Sequence, residues 1–350
     1  MDFTYFTRSR RAFQLLLAIL LAGGAVTAAV VTEIARSNER VVHVQAQDAV
    51  ADALAQVDLM LQRYRHGLAG VRGAIALSGP AGMDRAAFAR YSQARDDRIV
   101  FPGALGFGFI RRVAPGATDA YIAAQRSSSW PEFALHQIAP HAGEHAIVEL
   151  IEPVGTNQAV IGLDIASEPV RRAGIAAATA SGMATLTAPL TLVQAGGDAP
   201  SFLMLLPVYE GGAHPAAAAR PVTGWAFAPL VVKDVLANLP DHLPDGAFTL
   251  ADSAPGRPPA PFFIAGAGAP GLAGAQLARR VMGRDWVATF QPSESFVAQL
   301  GLPRPLHAGL AGAGLTLLCA ALAAALAAER ARLRRLHATE EQRVSDRTAE

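Results

Sequence analysis

The sequence predicts an α+β protein with a long N-terminal helix, two successive antiparallel-sheet units and a C-terminal helix. Three observations carry that reading. Two charge-free apolar runs, 12–31 and 308–328, stand near the two ends of the 350 residues. A seam of apolar residues with alternating spacings of four and three follows the first run. Between the seam and the second run, short strand-like and helix-like stretches follow one another without a regular βαβ rhythm, which argues for antiparallel sheets with helices packed on one side.

The apolar runs come first. A helix needs about 20 apolar residues to cross the hydrocarbon core of a bilayer, and each run is that long. They absorb the surplus in a composition that is 51% hydrophobic and only 17% charged. Arg8, Arg10 and Arg11 precede the first run, and Arg330, Arg332, Arg334 and Arg335 follow the second. Both clusters belong on the cytoplasmic side by the positive-inside rule, so 32–305 is expected outside the cytoplasm. The absence of a break after residue 31 favours an uncleaved anchor over a signal peptide. Ala308, Gly312, Gly24 and Ala28 are small residues spaced to let helices approach closely.

The seam is Val50, Leu54, Val57, Leu61, Tyr64, Leu68, Val71 and Ile75. It predicts a stalk helix over 32–82 that dimerises with a second copy, with packing on its own domain as the alternative. Gly67, Gly70 and Gly73 recur on that helix at a cost of roughly 1 kcal/mol each, so a close neighbour is expected beside them. Gly79-Pro80 ends the helix.

Elements then read as a helix over 84–95 capped by Asp84, a strand at 105–110 and a helix over 118–126. Strands at 133–139, 146–151 and 160–165 follow, then a helix capped by Ser167 with Pro169 in its first turn, ending near Gly182. Strands at 184–192 and 202–209 complete a first unit over 83–210. A second unit, 211–305, opens with a strand at 224–228 and a helix over 230–239. It continues with strands near Phe248 and Phe262 and at 277–281 and 286–290, and a short helix capped by Ser293.

The net charge of +1 offers no field for nucleic acid. Arginine supplies nearly all the basic charge, Lys233 being the lone lysine, a bias of GC-rich bacterial coding. The single cysteine, Cys319, excludes an internal disulfide and any multi-cysteine metal site. No nucleophile elbow, HExxH or Walker loop occurs, so no catalytic centre and no cofactor are expected within these residues. His136, His141 and His145 lie close together, but Pro140 and Gly143 deny them a common helix face, and no metal site is expected there.

The ordered stretches Gly162-Leu-Asp164-Ile-Ala-Ser167, Arg171-Arg172, Leu186-Thr-Ala-Pro-Leu190, Leu206-Pro-Val-Tyr209 and Gly224-Trp225 resemble the CHASE domain, the extracytoplasmic sensor of cytokinin receptors and many bacterial receptors. The resemblance runs from about Leu68 to Leu239 at least. It implies two PAS-like units after a long helix, with a small organic ligand in the membrane-distal one. Family ligand positions fall on Asp164 and Leu186, and a family threonine falls near Gln194 or Ala195; its replacement argues against a cytokinin. Phe107 and Phe109 are candidate apolar lining.

The tail Val344-Ser-Asp-Arg347-Thr-Ala-Glu350 resembles the linker into histidine kinases. The expectation is therefore a sensor module in the bacterial inner membrane. It has a short cytoplasmic segment at 1–11, a second span at 306–328 and a cytoplasmic signalling helix over 329–350. A histidine kinase is the first candidate for the output beyond it, a diguanylate cyclase the second. A stand-alone tethered binding protein is the alternative.

Overall fold

The computed structural model describes residues 3–78, 82–128, 130–193, 199–212 and 221–348. Gly79, Pro80, Gln194 and Ala195 lie outside them. The chain divides into two units, Met1–Val44 with Val297–Glu350, and Gln45–Phe296.

The first unit holds the two apolar segments. Helix α1, Phe3–Leu77, contains the first, and the C-terminal helix, Pro305–Thr348, contains the second. Both are long and apolar enough to cross a membrane. Leu21, Leu310 and Leu318 remain exposed, as side chains facing lipid would. The two segments meet antiparallel and closely. A Cβ on Gly23 would fall 2.4 Å from the Thr316 side chain, and one on Gly312 would fall 2.6 Å from Thr27. Each threonine hydroxyl donates to its own helix, Thr27 to the Gly23 carbonyl (2.7 Å) and Thr316 to the Gly312 carbonyl (2.8 Å). No polar group is thus left unpaired at the contact. Gly312 serves as expected, whereas Gly24 has nothing within 4 Å and its neighbour Gly23 makes the approach.

The second unit begins with the rest of α1. Helix α2, Arg85–Gln93, starts where Asp84 accepts from the Ala87 amide (2.6 Å). Next come α3 (Asp97–Val100), β1 (Phe107–Val113), α4 (Thr118–Ser128), β2 (His136–Gln137), β3 (His145–Glu152) and α5 (Val154–Asn157). They are followed by β4 (Leu163–Asp164), α6 (Pro169–Ser181), β5 (Thr185–Leu186), β6 (Ser201–Tyr209), β7 (Val222–Val231) and α7 (Val232–Val235). The unit ends with β8 (Gly246–Ser253), β9 (Ala260–Ala265), β10 (Ala275–Val281), β11 (Arg284–Pro292) and α8 (Glu294–Gln299); the C-terminal helix is α9.

The strands form a seven-stranded sheet, β2-β4-β3-β1-β7-β6-β5, and a four-stranded one, β10-β11-β8-β9. All pairings are antiparallel except the two-residue β2–β4 contact. Phe202 on the first sheet packs against Phe262 and Trp286 of the second, with ring centroids 5.1 and 5.5 Å away.

Two expectations are corrected by strand pairing. The strand expected to open the second unit is β7, and it lies in the middle of the first sheet between β1 and β6. Its last nine residues are apolar or small and almost continuously buried, which is the pattern of a strand covered on both faces. The helix expected over 230–239 shrinks to α7, because Leu230 and Val231 still pair with Phe202 and Ser201. The cap of α6 is also reassigned. Glu168 accepts from the Val170 and Arg171 amides (both 2.9 Å), while the Ser167 hydroxyl donates to the Asp164 carbonyl (2.6 Å).

The seam of α1 is buried by the chain itself. Val50, Leu54, Val57, Leu68 and Val71 are 0% exposed, and Leu61, Tyr64 and Ile75 are nearly so. One face of the large sheet carries Ile147, Leu205, Phe227 and the α6 residues Ile175 and Ala178 in a common core. Phe107, outside that cluster, meets α1, where Gly67 leaves room for its ring. The Tyr64 ring stacks toward Phe101, its hydroxyl donates to the Pro102 carbonyl, and burial pushes its pKa up to about 12. The seam therefore takes the alternative expected for it and packs on its own domain. A 4-3 apolar spacing tells that a helix face is covered, not what covers it.

The three glycines test this packing. A Cβ on Gly67 would sit 2.6 Å from Phe107 and one on Gly70 2.7 Å from the Tyr91 hydroxyl, while Gly73 has open space. Gly67→Ala is expected to lower stability by about 1–3 kcal/mol through overpacking. Gly73→Ala is expected to raise it by about 0.5–1 kcal/mol through helix propensity. Thermal melting of the two variants reads the opposite signs.

Candidate functional site

Asp164 is the best-anchored carboxylate of the large sheet. It sits on β4 between β2 and β3, opposite Gln137 and Ile147. Its side chain is 0% exposed. Oδ1 accepts from the amides of Ala146 (2.9 Å) and Ala166 (3.1 Å), so the residue caps the short 3-10 turn Ile165–Ser167. Oδ2 lies 2.6 Å from His141 Nε2 and 2.7 Å from His145 Nδ1, and it accepts from Gln137 Nε2 at 3.2 Å. Burial works to raise the pKa of this carboxyl. The hydrogen bonds from His145, the Ala146 amide, His141 and Gln137 outweigh it and hold the pKa below the ordinary value.

Five donors fill the acceptor capacity of one carboxylate. In this state Asp164 offers nothing to a ligand directly. The rings of His141 and His145, 13% and 12% exposed, stand between it and an open cleft. The Gly143 amide donates to His141 Nδ1 (3.2 Å), which leaves that ring's proton on Nε2, facing Asp164.

The cleft has a volume of about 520 Å³ and lies between α6 and strands β1, β3 and β7. Its polar wall holds Arg112, Glu144, Arg172 and the two histidines, and its apolar wall holds Ile175, Val222 and Trp225. Trp225 is held by a hydrogen bond from its Nε1 to Thr179 Oγ1 (3.1 Å). Arg112 forks onto Glu144 (3.0 and 2.8 Å), and Arg172 donates to the Ala166 carbonyl (2.7 Å). One wall that can stack on a planar body and another that can hydrogen-bond its edge suit a small organic molecule.

The other expected positions lie elsewhere. Leu186 is on β5, at the far edge of the sheet, with β3, β1, β7 and β6 between it and β4. Its amide donates to the Met282 carbonyl (2.9 Å), and the next residue, Thr187, is the one that faces Gly174 of α6. Phe107 lines a smaller cavity of about 250 Å³ with Leu105 and Pro153. The Phe109 ring lies 4.8 Å below the Arg111 guanidinium, which forks onto Glu149 at the β1–β3 bulge. Arg171 of the motif bonds Glu168 and the Thr191 carbonyl and not Asp164. The sequence pointed to Asp164 but missed its histidine partners. Their four-residue spacing was visible; their meeting with a residue nineteen positions on depends on β4 pairing beside β3.

The CHASE domain family model matches residues 81–263, more than half of the chain. The chain belongs to the CHASE-domain family. CHASE domains are extracytoplasmic sensor modules of signalling receptors, and here an apolar helix flanks the domain on each side. No curated relative matches the chain. Within the matched span lie Asp164, both histidines and the whole lining of the cleft.

Proposed function

We propose that this CHASE module is the input half of a bacterial inner-membrane receptor, holds 32–305 on the extracytoplasmic side and binds a small organic ligand in the cleft between α6 and β7. The observation that carries the reading is the family match between two apolar helices, with the cleft inside the matched span. The ligand stacks on Trp225 and meets Arg172 and the histidines, with Asp164 acting through the rings it holds. The two sheets are the PAS-like units of such a sensor. Ligand shifts the module between two arrangements by its differential affinity for them. The change leaves through α9, in which the apolar segment continues without a break into the arginine-rich 330–335 stretch. A histidine kinase is the output that the tail's linker-like residues favour.

The test is a thermal-shift survey of planar organic compounds on the detergent-solubilised chain. A true ligand at about 100 times its Kd adds about 2.7 kcal/mol of stability, a rise of several degrees. That rise is expected to disappear in Arg172→Ala and Trp225→Ala. A compound that stabilises wild type and both variants equally binds elsewhere and removes the cleft from the account.

A further inference from the structure

His141, His145 and Asp164 are the one group of three metal-binding side chains found among the described residues, with ligand atoms all within 4.8 Å of one another. We infer that they form a binding site for one divalent first-row transition cation of the zinc class at the histidine-lined wall of the cleft. The inference rests on the chain's own donors and not on the organic ligand proposed above.

The donor set selects the ion class. Two imidazoles and one carboxylate suit zinc, cobalt or nickel, whereas calcium and magnesium take oxygen ligands. The site is also prepared. The Ala146 and Ala166 amides hold Oδ1, so Oδ2 is the atom turned toward both rings. Such hydrogen bonds orient a ligating carboxylate.

The charge balance points the same way. A buried carboxylate with only neutral donors lacks a counter-charge. The only ion-pair partners of Asp164 among the described residues are the two histidines, which carry charge only when protonated. The nearest arginines in sequence are engaged elsewhere, Arg171 with Glu168 and Arg172 with the Ala166 carbonyl. A cation on Oδ2 supplies the missing charge. Its rival for that place is a proton on one imidazole.

Loading requires a small, defined rearrangement. The rings lie 2.6 and 2.7 Å from Oδ2, which are hydrogen-bond distances. Around a tetrahedral ion with bonds of about 2.0–2.1 Å, ligand atoms stand about 3.3 Å apart, so each contact opens by less than about 1 Å. The ion takes His141 Nε2 and His145 Nδ1. Each ring's proton then sits on its other nitrogen, and two neutral rings release none. The Gly143 amide, which donates to His141 Nδ1, must turn away; Gly143 is exposed and has no side chain to resist. The fourth position opens toward the cleft, which both rings line.

The experiment uses the untagged full chain in detergent, stripped with chelator and titrated with Zn²⁺ by calorimetry and with Co²⁺ by visible absorption. One ion per chain is expected, with a rise in melting temperature. His141→Ala and His145→Ala are each expected to weaken binding at least about tenfold. Both are to be checked for wild-type melting in chelator; if either fails to fold, His→Gln at the same position serves. Absence of binding to wild type overturns the site, as does binding that the double histidine variant retains. Stabilisation by acid but not by metal overturns it in favour of the proton. None of these outcomes bears on the organic-ligand reading, because no organic ligand is present.

Discussion

Leu54→Glu is expected to unfold the 45–296 unit rather than to split a dimer. Leu54 is 0% exposed, as are Val50, Val57 and Leu68 beside it on the same helix face. Truncating a buried leucine costs about 2–5 kcal/mol, and a buried unpaired carboxylate adds to that cost unless it is protonated. A domain with about 5–15 kcal/mol of total stability loses much or all of its margin. The readouts are melting temperature and protease resistance in detergent, with sedimentation alongside. A variant that melts like wild type but loses self-association would show that the seam is an interface between copies. Leu59, on the same helix and 67% exposed, provides the control, since Leu59→Glu should leave melting unchanged.

Asp164→Ala carries the second large effect. It strands two backbone amides, the Gln137 amide and two imidazole nitrogens that now share one carboxylate. Removing the acceptor of such a buried network costs about 3–5 kcal/mol. Asp164→Asn, which keeps one acceptor oxygen, should cost less. The pH dependence follows from the lowered pKa of the Asp164 carboxyl. Its unfolded value is about 3.9. The folded value lies below that, so its contribution is fully present above the unfolded value and is lost as pH falls through the folded one. Wild type in chelator should therefore lose stability on acidification below about pH 4 more steeply than Asp164→Asn does. Equal acid profiles for the two proteins would show that the hydrogen-bonded carboxylate contributes nothing.

The sequence made some features legible and hid others for physical reasons. The two apolar segments were readable because a bilayer imposes length and composition on single helices, without reference to any partner. The α1 seam was readable as a covered face, but periodicity alone left its cover undecided between a second copy and the chain's own core. Gly67 and Gly70 announced a close neighbour, and Phe107 and Tyr91 are what they meet. Strand β7 was readable as a strand but not as an inner strand of the first sheet. That position depends on pairing with β1 and β6, which lie on either side of it only after folding. The same holds for the site. Asp164 stood out as a carboxylate in an apolar strand, while His141 and His145 looked like loop residues until β4 brought the carboxylate beside them. Leu186 fits the motif spacing, yet β5 lies at the opposite edge of the sheet from β4.

Everything proposed for this CHASE module depends on which side of the membrane its sheets occupy. Cys319 is the one native cysteine, so a Cys319→Ser background allows single reporters at exposed Arg257, in the β8–β9 turn, and exposed His337, beyond the second apolar segment. In intact spheroplasts a membrane-impermeant maleimide should label Arg257→Cys at once and His337→Cys only after permeabilisation. Protection of Arg257→Cys until lysis, with ready labelling of His337→Cys from outside, would contradict the account.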